Sequence, residues 1–154
     1  MIETPQIIQS VPKAAALVRL TIPRAEIRNV MGPGLTEIRE VLAAQGVAPA
    51  GPWFTHHLRF DPEIFDFEIC VPVSGPVTPV GRVQLGNFPA TTVARTVYHG
   101  PFEGLAGAWG EFDAWIRANG HTTAPDLWEV YLVGPESSSD PADWRTELIH
   151  ALEE

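Results

Sequence analysis

The pattern of apolar and polar positions is clearest in the second half of the chain. Residues 91–99 are rich in β-branched side chains and predict a strand, which Gly100-Pro101 interrupts. Apolar side chains then recur at spacings of three and four, as on one face of an amphipathic helix; they are Phe102, Leu105, Trp109, Phe112 and Ile116. Asn119-Gly120 is a typical helix end. Two strands complete this half, over residues 127–133 and 144–149.

The first half of the chain repeats this order of elements. A predicted strand over residues 15–22 is followed by Gly32-Pro33, where we expect a helix to begin, and by Gln45-Gly46, where it should end. Two more strands are predicted over residues 53–60 and 65–73. Four residue pairs fall into register between the halves: Arg19 with Arg95, Gly46 with Gly120, Trp53 with Trp128, and Glu68 with Glu147.

The repetition predicts one domain over residues 1–154. Its internal repeats span residues 14–73 and 91–150, and the linker over residues 74–90 is rich in Pro and Gly. Three strands and one helix bury too little surface to be stable alone, so we expect the two copies to pack together. The predicted fold is therefore α+β: tandem β-α-β-β units form an antiparallel sheet, with two helices on one face and a ligand groove on the other.

Composition places the chain among ordinary globular proteins. Of its 154 residues, 45% are hydrophobic and 19% are charged. No apolar run is long enough for a transmembrane helix, and the first residues lack the basic start of a signal peptide, so we expect a soluble, cytoplasmic protein that does not bind membranes. The single cysteine excludes an intrachain disulfide.

Charge and motif content narrow the possible functions. The net charge of −9 and the single lysine disfavour direct nucleic-acid binding and favour cationic ligands. His56 and His57 are neighbours on one strand and should point to opposite faces, so they cannot share a metal ion. The chain also lacks a phosphate-binding glycine loop and a nucleophile elbow. We therefore expect neither a metal site nor a cofactor.

Glu129 is the strongest candidate for a functional side chain. Alternation along its strand predicts that Trp128, Val130 and Leu132 meet the helices while Glu129 and Tyr131 face the groove. A carboxylate in an apolar groove has a raised pKa, and it can pair with a bound cation or act as a general base. The alternative is a solvated glutamate on an open sheet face.

Four further residues are candidates for the ligand site. Phe54 is predicted to fall in register with Glu129 and to form a wall of the groove with Trp53, and aromatic ring faces attract cations. Tyr98 ends its strand either with its hydroxyl in the groove or packed against the start of the helix. Glu68 reaches the groove, is solvated, or pairs with an arginine such as Arg19 or Arg95.

Several segments resemble the gyrase-inhibitor-like small-molecule-binding family, which includes the effector-binding domains of multidrug-sensing bacterial transcription activators. In the second half they are YHGPFEGLAGAWGEFDAWIRANG (98–120), WEVYLVGP (128–135) and DPADWRTEL (140–148). In the first half they are AGPWFTHH (50–57) and FDFEICVPV (65–73). The resemblance implies a tandem β-α-β-β fold with a central pocket. It also implies that an acidic residue, here Glu129, meets cationic, lipophilic and often aromatic ligands.

The same resemblance implies an alternative activity. Some stand-alone members resemble hydrolases that act on small strained or electrophilic rings through a glutamate and a tyrosine, here Glu129 as base and Tyr98 as acid. The regulators carry a DNA-binding helical region before this domain, and only about a dozen residues precede the first predicted strand, so we expect this chain to lack that region. Three hypotheses therefore stand: a small-molecule binder, a cofactor-free hydrolase, and a module that binds a protein partner.

Overall fold

The computed structural model describes residues 1–59, 61–135 and 137–153, and these divide into two compact units. The first unit comprises residues 11–90, and the second comprises residues 1–10 together with 91–154. The described strands are β1 (Gln6–Gln9), β2 (Lys13–Pro23), β3 (Phe54–Arg59), β4 (Ile64–Pro72), β5 (Gln84–Phe88), β6 (Thr92–His99), β7 (Thr123–Val133) and β8 (Arg145–Leu152). The helices are α1 (Ile27–Ala44) and α2 (Leu105–Ala118).

The first unit packs α1 on one face of a four-stranded antiparallel sheet. Its strand order is β3-β4-β2-β5, and α1 packs mainly against β4 and β2. The sheet contributes Val18, Phe67 and Ile69 to the core, and the helix contributes Leu35 and Ile38. All five side chains are almost completely buried, so this layer holds α1 in place through apolar contact.

The second unit has the same architecture around α2. Its strand order is β1-β6-β8-β7, with every ladder antiparallel. Ala94, Tyr98 and Leu148 on the sheet pack with Phe112 and Ile116 of α2. Eight antiparallel strands and two helices make an α+β fold, which confirms the predicted fold class. No helix in the described part of the chain is long and apolar enough to cross a membrane.

The first helix begins earlier than predicted. Gly32-Pro33 was expected to precede α1, but the helix starts at Ile27 and Pro33 lies inside it. Apolar residues on the N-terminal side of this proline, among them Ile27 and Met31, pack against the core of the first unit. Their burial compensates for the backbone hydrogen bond that Pro33 cannot donate. The predicted end is correct, because Gly46 adopts a positive φ of 69° just after α1.

Two strands were not predicted. The Pro- and Gly-rich segment over residues 74–90 was expected to be a linker, but its residues 84–88 form β5, which pairs with β2. Residues 6–9 form β1, a four-residue edge strand that pairs with β6. Both strands are short, and β5 contains a glycine, so neither has the length or composition that identifies a strand. The last residue of the predicted strand over 53–60 lies outside the described residues.

The ladders also correct the register between the repeats. Arg19 lies opposite Glu68, whereas Arg95 lies opposite Ile149, so Glu68 and Glu147 are not equivalent. The equivalent of Glu147 is Asp66, two residues earlier than predicted. Each of these carboxylates forms an ion pair with the arginine of its own unit: Arg19 to Asp66 at 3.1 Å and Arg95 to Glu147 at 2.6 Å.

This register gives Glu129 a different counterpart from the one predicted. In this register Phe67 of the first unit is equivalent to Leu148 of the second. His57 lies opposite Phe67, and Glu129 lies opposite Leu148. The counterpart of Glu129 in the first unit is therefore His57 and not Phe54. The prediction failed because it aligned Trp53 with Trp128, and a tryptophan pair is easily matched by chance.

Candidate functional site

Glu129 lies on β7, on the face of the sheet that α2 covers. Its carboxylate accepts a hydrogen bond from the Trp109 indole of α2 at 2.6 Å and another from the Tyr131 hydroxyl at 2.8 Å. Glu129 also lies opposite Leu148, a core residue that packs against α2. The predicted alternation along β7 is correct, but the prediction that Glu129 and Tyr131 face away from the helices is wrong. Val130 lies on the face away from α2.

The surroundings of Glu129 favour its neutral form. Burial raises the pKa of this carboxyl group, and the hydrogen bonds from Trp109 and Tyr131 only partly oppose that increase. Both donors are uncharged, and no cationic side chain in the described part of the chain pairs with Glu129. An ionised Glu129 is therefore a buried negative charge that lacks a positive partner.

Aromatic rings continue the site beyond Tyr131. Phe102, just before α2, lies edge-on to Tyr131 with ring centroids 6.0 Å apart, and it packs against Trp144 at 4.8 Å. The Trp144 indole donates to the carbonyl oxygen of Ser138 at 3.0 Å, which fixes the ring. Trp109, Phe102 and Trp144 were not among the predicted site residues. One signal pointed to Trp109, because a tryptophan on the buried stripe of a helix needs an acceptor for its N–H.

Tyr98 does not form a hydrogen-bonded pair with Glu129. Its hydroxyl donates to the carbonyl oxygen of Pro101 at 2.8 Å, and its ring belongs to the core beneath α2. Thr146 of β8 lies opposite both Tyr98 and Tyr131, so it separates the two tyrosines along the sheet. The tyrosine that contacts Glu129 is therefore Tyr131.

The other predicted site residues belong to the first unit. Phe54 is buried on the face of β3 away from α1, with the Lys13 ammonium 4.9 Å from its ring centroid. Glu68 is on the same face and lies 2.8 Å from a ring nitrogen of His56. Trp53 precedes β3 and is partly buried against the core of the first unit. Their participation in a ligand site remains a prediction.

His57, the counterpart of Glu129, is also a polar group in apolar surroundings. Its ring stacks on Phe67 with centroids 5.4 Å apart and lies edge-on to Phe65 at 5.6 Å. Burial lowers the pKa of His57 to about 4, and the charges of His56 and Arg24 add to the effect. His57 is therefore an uncharged imidazole near neutral pH.

The family of the chain follows from its sequence as a whole. The model of the GyrI-like small-molecule-binding domain matches residues 4–153. The chain belongs to this family. Among curated proteins, none matches the chain significantly.

Solved structures share the fold of this GyrI-like chain at low sequence identity. The C-terminal domain of EcmrR is 21% identical with a TM-score of 0.87, and the match covers 98% of both chains. In an EcmrR–DNA complex the match covers 98% of this chain but 57% of the EcmrR chain, with a TM-score of 0.86 and 21% identity. This chain therefore spans little more than half of that regulator.

Two further structures share the fold, and one of them contains a bound ligand. SAV2435 bound to tetraphenylphosphonium is 12% identical, with a TM-score of 0.68 and coverage of 98% of this chain and 94% of SAV2435. A hydrolase from Listeria innocua is 14% identical, with a TM-score of 0.67 and coverage of 97% and 91%. At these identities the similarity establishes the fold. The family itself binds small molecules.

Proposed function

We propose that this chain binds lipophilic organic cations and that Glu129 supplies the charge that attracts them. The observation that carries the proposal is a partly buried carboxylate whose two hydrogen-bond donors, Trp109 and Tyr131, are both neutral. A cation that reaches this carboxylate provides the missing positive partner and favours the ionised form. We propose that this binding serves to sequester or to sense the ligand.

The aromatic neighbours support the lipophilic part of the proposal. Trp109 and Tyr131 contact the carboxylate, and Phe102 and Trp144 extend the aromatic surface beyond Tyr131. Ring faces attract organic cations and contribute most where water is excluded. Inorganic cations are poorer candidates, since a single carboxylate and aromatic rings do not replace a hydration shell.

Calorimetric titration tests the proposal with tetraphenylphosphonium and with neutral triphenylphosphine oxide as its matched control. Wild type should bind the cation and bind the neutral compound at least tenfold more weakly. Glu129→Gln keeps the shape and one acceptor oxygen for the Trp109 indole, and its amide nitrogen can donate to the Tyr131 hydroxyl. It removes the charge, so it should weaken cation binding by at least tenfold. Glu111→Gln removes the same charge from an exposed position of α2 and should leave binding unchanged.

The pH dependence follows from the raised pKa of Glu129. Only the ionised carboxylate attracts a cation, so affinity should fall as the pH is lowered through that pKa, and Glu129→Gln should not show the fall. Equal affinity for both compounds, or equal affinity of wild type and Glu129→Gln, would exclude Glu129 as the source of selectivity.

A second candidate function is hydrolysis of small electrophilic or strained rings. The observation that favours it is the 2.8 Å hydrogen bond between Tyr131 and Glu129, which joins a potential acid to a potential base. Here Tyr131 takes the role that we predicted for Tyr98. A panel of epoxides and lactones incubated with wild type, Glu129→Gln and Tyr131→Phe tests this activity by mass spectrometry. Turnover in wild type alone would establish a hydrolase, and recovery of every compound unchanged would reject it.

A further inference from the structure

His150 of β8 connects three elements of the second unit. Its Nδ1 lies 2.8 Å from the Asp113 carboxylate of α2, and its Nε2 lies 3.0 Å from the carbonyl oxygen of Ala124 on β7. A carbonyl oxygen only accepts, so Nε2 donates to Ala124 while Nδ1 makes the contact with Asp113. His150 is only 7% exposed, and because Nε2 faces a carbonyl group, the ring is not available as a base for a ligand.

The backbone explains why Ala124 needs this donor. The ladder between β7 and β8 is irregular between Thr123 and Leu127, so Ala124 lies in the irregular stretch. A carbonyl group displaced from a ladder has to find another donor when it is shielded from water. The imidazole of His150 supplies that donor.

Asp113, which His150 contacts on α2, lies close to the ligand-site residue Trp109. Asp113 lies four residues after Trp109, so both side chains project from the same side of α2. The ring of His150 also contacts the Trp109 ring nearly perpendicularly, with centroids 5.8 Å apart. Anchoring Asp113 therefore fixes the rotation of α2 at which the Trp109 indole reaches Glu129 at 2.6 Å.

Comparison with the first unit indicates that the His150 connection serves the ligand site and is not required by the fold. The register that makes Asp66 equivalent to Glu147 makes Ile69 equivalent to His150. Ile69 is fully buried in the core against α1. The same architecture therefore packs its helix without a polar connection where no glutamate has to be held.

We propose that His150 and Asp113 are positioning residues, which hold Trp109 against Glu129 and so set the affinity of that carboxylate for its ligand. This inference rests on the proposed function. In the described part of the chain, His150 and Asp113 form no hydrogen bond with Glu129 and would act on it through Trp109.

A double-mutant cycle with tetraphenylphosphonium as the probe tests the inference. His150→Gln should weaken binding about fivefold to tenfold in the wild-type background. In a Trp109→Phe background, His150→Gln should weaken binding less than twofold. The hydrogen bond from Trp109 to Glu129, through which His150 acts, is already absent there. His99→Gln breaks a comparable contact, with Glu3 at 2.6 Å, and should have no effect. Equal weakening in both backgrounds would overturn the proposal.

Conservative variants separate positioning from simple damage to the fold. Asp113→Asn keeps an acceptor oxygen for His150 and should retain more affinity than Asp113→Ala. Asp113 is partly exposed, so both variants should fold even if His150→Gln does not. Equal losses for the two Asp113 variants would contradict the inference.

The Trp109 indole N–H provides a readout that needs no ligand. Its resonance in ¹⁵N-labelled protein, assigned with Trp109→Phe, should move towards the solvent-exposed position in His150→Gln and Asp113→Ala. An unchanged resonance would overturn the positioning role. If wild type does not bind the cation, the proposed function fails, and the resonance alone then decides whether His150 and Asp113 position Trp109.

Discussion

At the scale of single residues, burial has opposite effects on two equivalent polar groups. It raises the pKa of Glu129 and lowers the pKa of His57, because in each case it disfavours the charged form. Each repeat thus carries, at the same strand position, one ionisable group whose charged form burial disfavours. A cation beside Glu129 would lower the pKa of this carboxyl group and favour its ionised form, whereas His57 stays neutral until the solution becomes acidic.

The lowered pKa of His57 predicts an acid-sensitive contribution to stability. The unfolded chain binds a proton at His57 near pH 6.5, but the folded chain does so only near pH 4. Stability should therefore be complete above pH 6.5 and fall by on the order of 3 kcal/mol as the pH decreases to 4. His57→Phe and His57→Gln remove this titration, so urea unfolding should show each variant gaining stability relative to wild type across that interval. A stability difference between the variants and wild type that does not change with pH would contradict the lowered pKa of His57.

A pair of buried threonines predicts opposite effects of one substitution. Thr146 Oγ1 is the one buried side-chain polar atom in the described chain without a hydrogen-bond partner, whereas Thr96 Oγ1 donates to the carbonyl oxygen of Glu3 at 2.7 Å. Thr146→Val should stabilise the protein by about 1 kcal/mol, since it removes an unsatisfied hydroxyl at constant shape. Thr96→Val should destabilise it by about 1 kcal/mol. Thermal unfolding measures both, and changes of the same sign would show that Thr146 has a partner.

At the scale of elements, the sequence predicted those with clear ends and a single buried stripe. Gly100-Pro101 and Asn119-Gly120 bracket α2, and its apolar spacing identified Phe112 and Ile116 as core, as the structure confirms. The start of α1 was missed because a proline that usually opens a helix lies within it.

The face on which Glu129 lies could not be predicted from β7 alone. Alternation showed that Glu129 and Tyr131 share a face, but Val130 on the other face is buried as well. A strand with buried residues on both faces does not indicate which of them the helix covers. The hydrogen bond from Trp109, which lies 20 residues earlier in the chain, depends on that tertiary choice.

Two helix glycines predict opposite effects of an added Cβ, because only one of them lies against its sheet. A Cβ on Gly110 of α2 would have no neighbour within 4 Å, so Gly110→Ala should stabilise the protein by roughly 0.5–1 kcal/mol through helix propensity. A Cβ on Gly34 would lie 2.5 Å from Cδ1 of the fully buried Ile69, so Gly34→Ala should destabilise it. Chemical denaturation of the two variants checks the contrast, and equal stabilisation would mean that α1 and β4 are not in close contact at Gly34.

At the scale of the whole molecule, the acidic surface offers a second way to attract cations. With a net charge of −9, the chain would concentrate any cation near its surface, even without a specific site. Such attraction acts through solvent and is screened by salt, whereas attraction to a buried carboxylate is screened much less. Salt dependence therefore distinguishes the Glu129 site from the general field of the protein.

We expect the affinity for tetraphenylphosphonium to change less than about threefold between 50 and 500 mM NaCl. Salt screens charges in the solvent, with a Debye length of a few ångströms at the higher concentration, but it screens the partly buried Glu129 much less. Binding governed by the surface charge should weaken about tenfold or more over the same range. Titration calorimetry at each salt concentration, with Glu111→Gln as the surface-charge control, makes the measurement. The affinity could instead depend steeply on salt, with Glu111→Gln reducing that dependence and Glu129→Gln leaving it unchanged. This outcome would show that the acidic surface attracts the cation and that Glu129 does not.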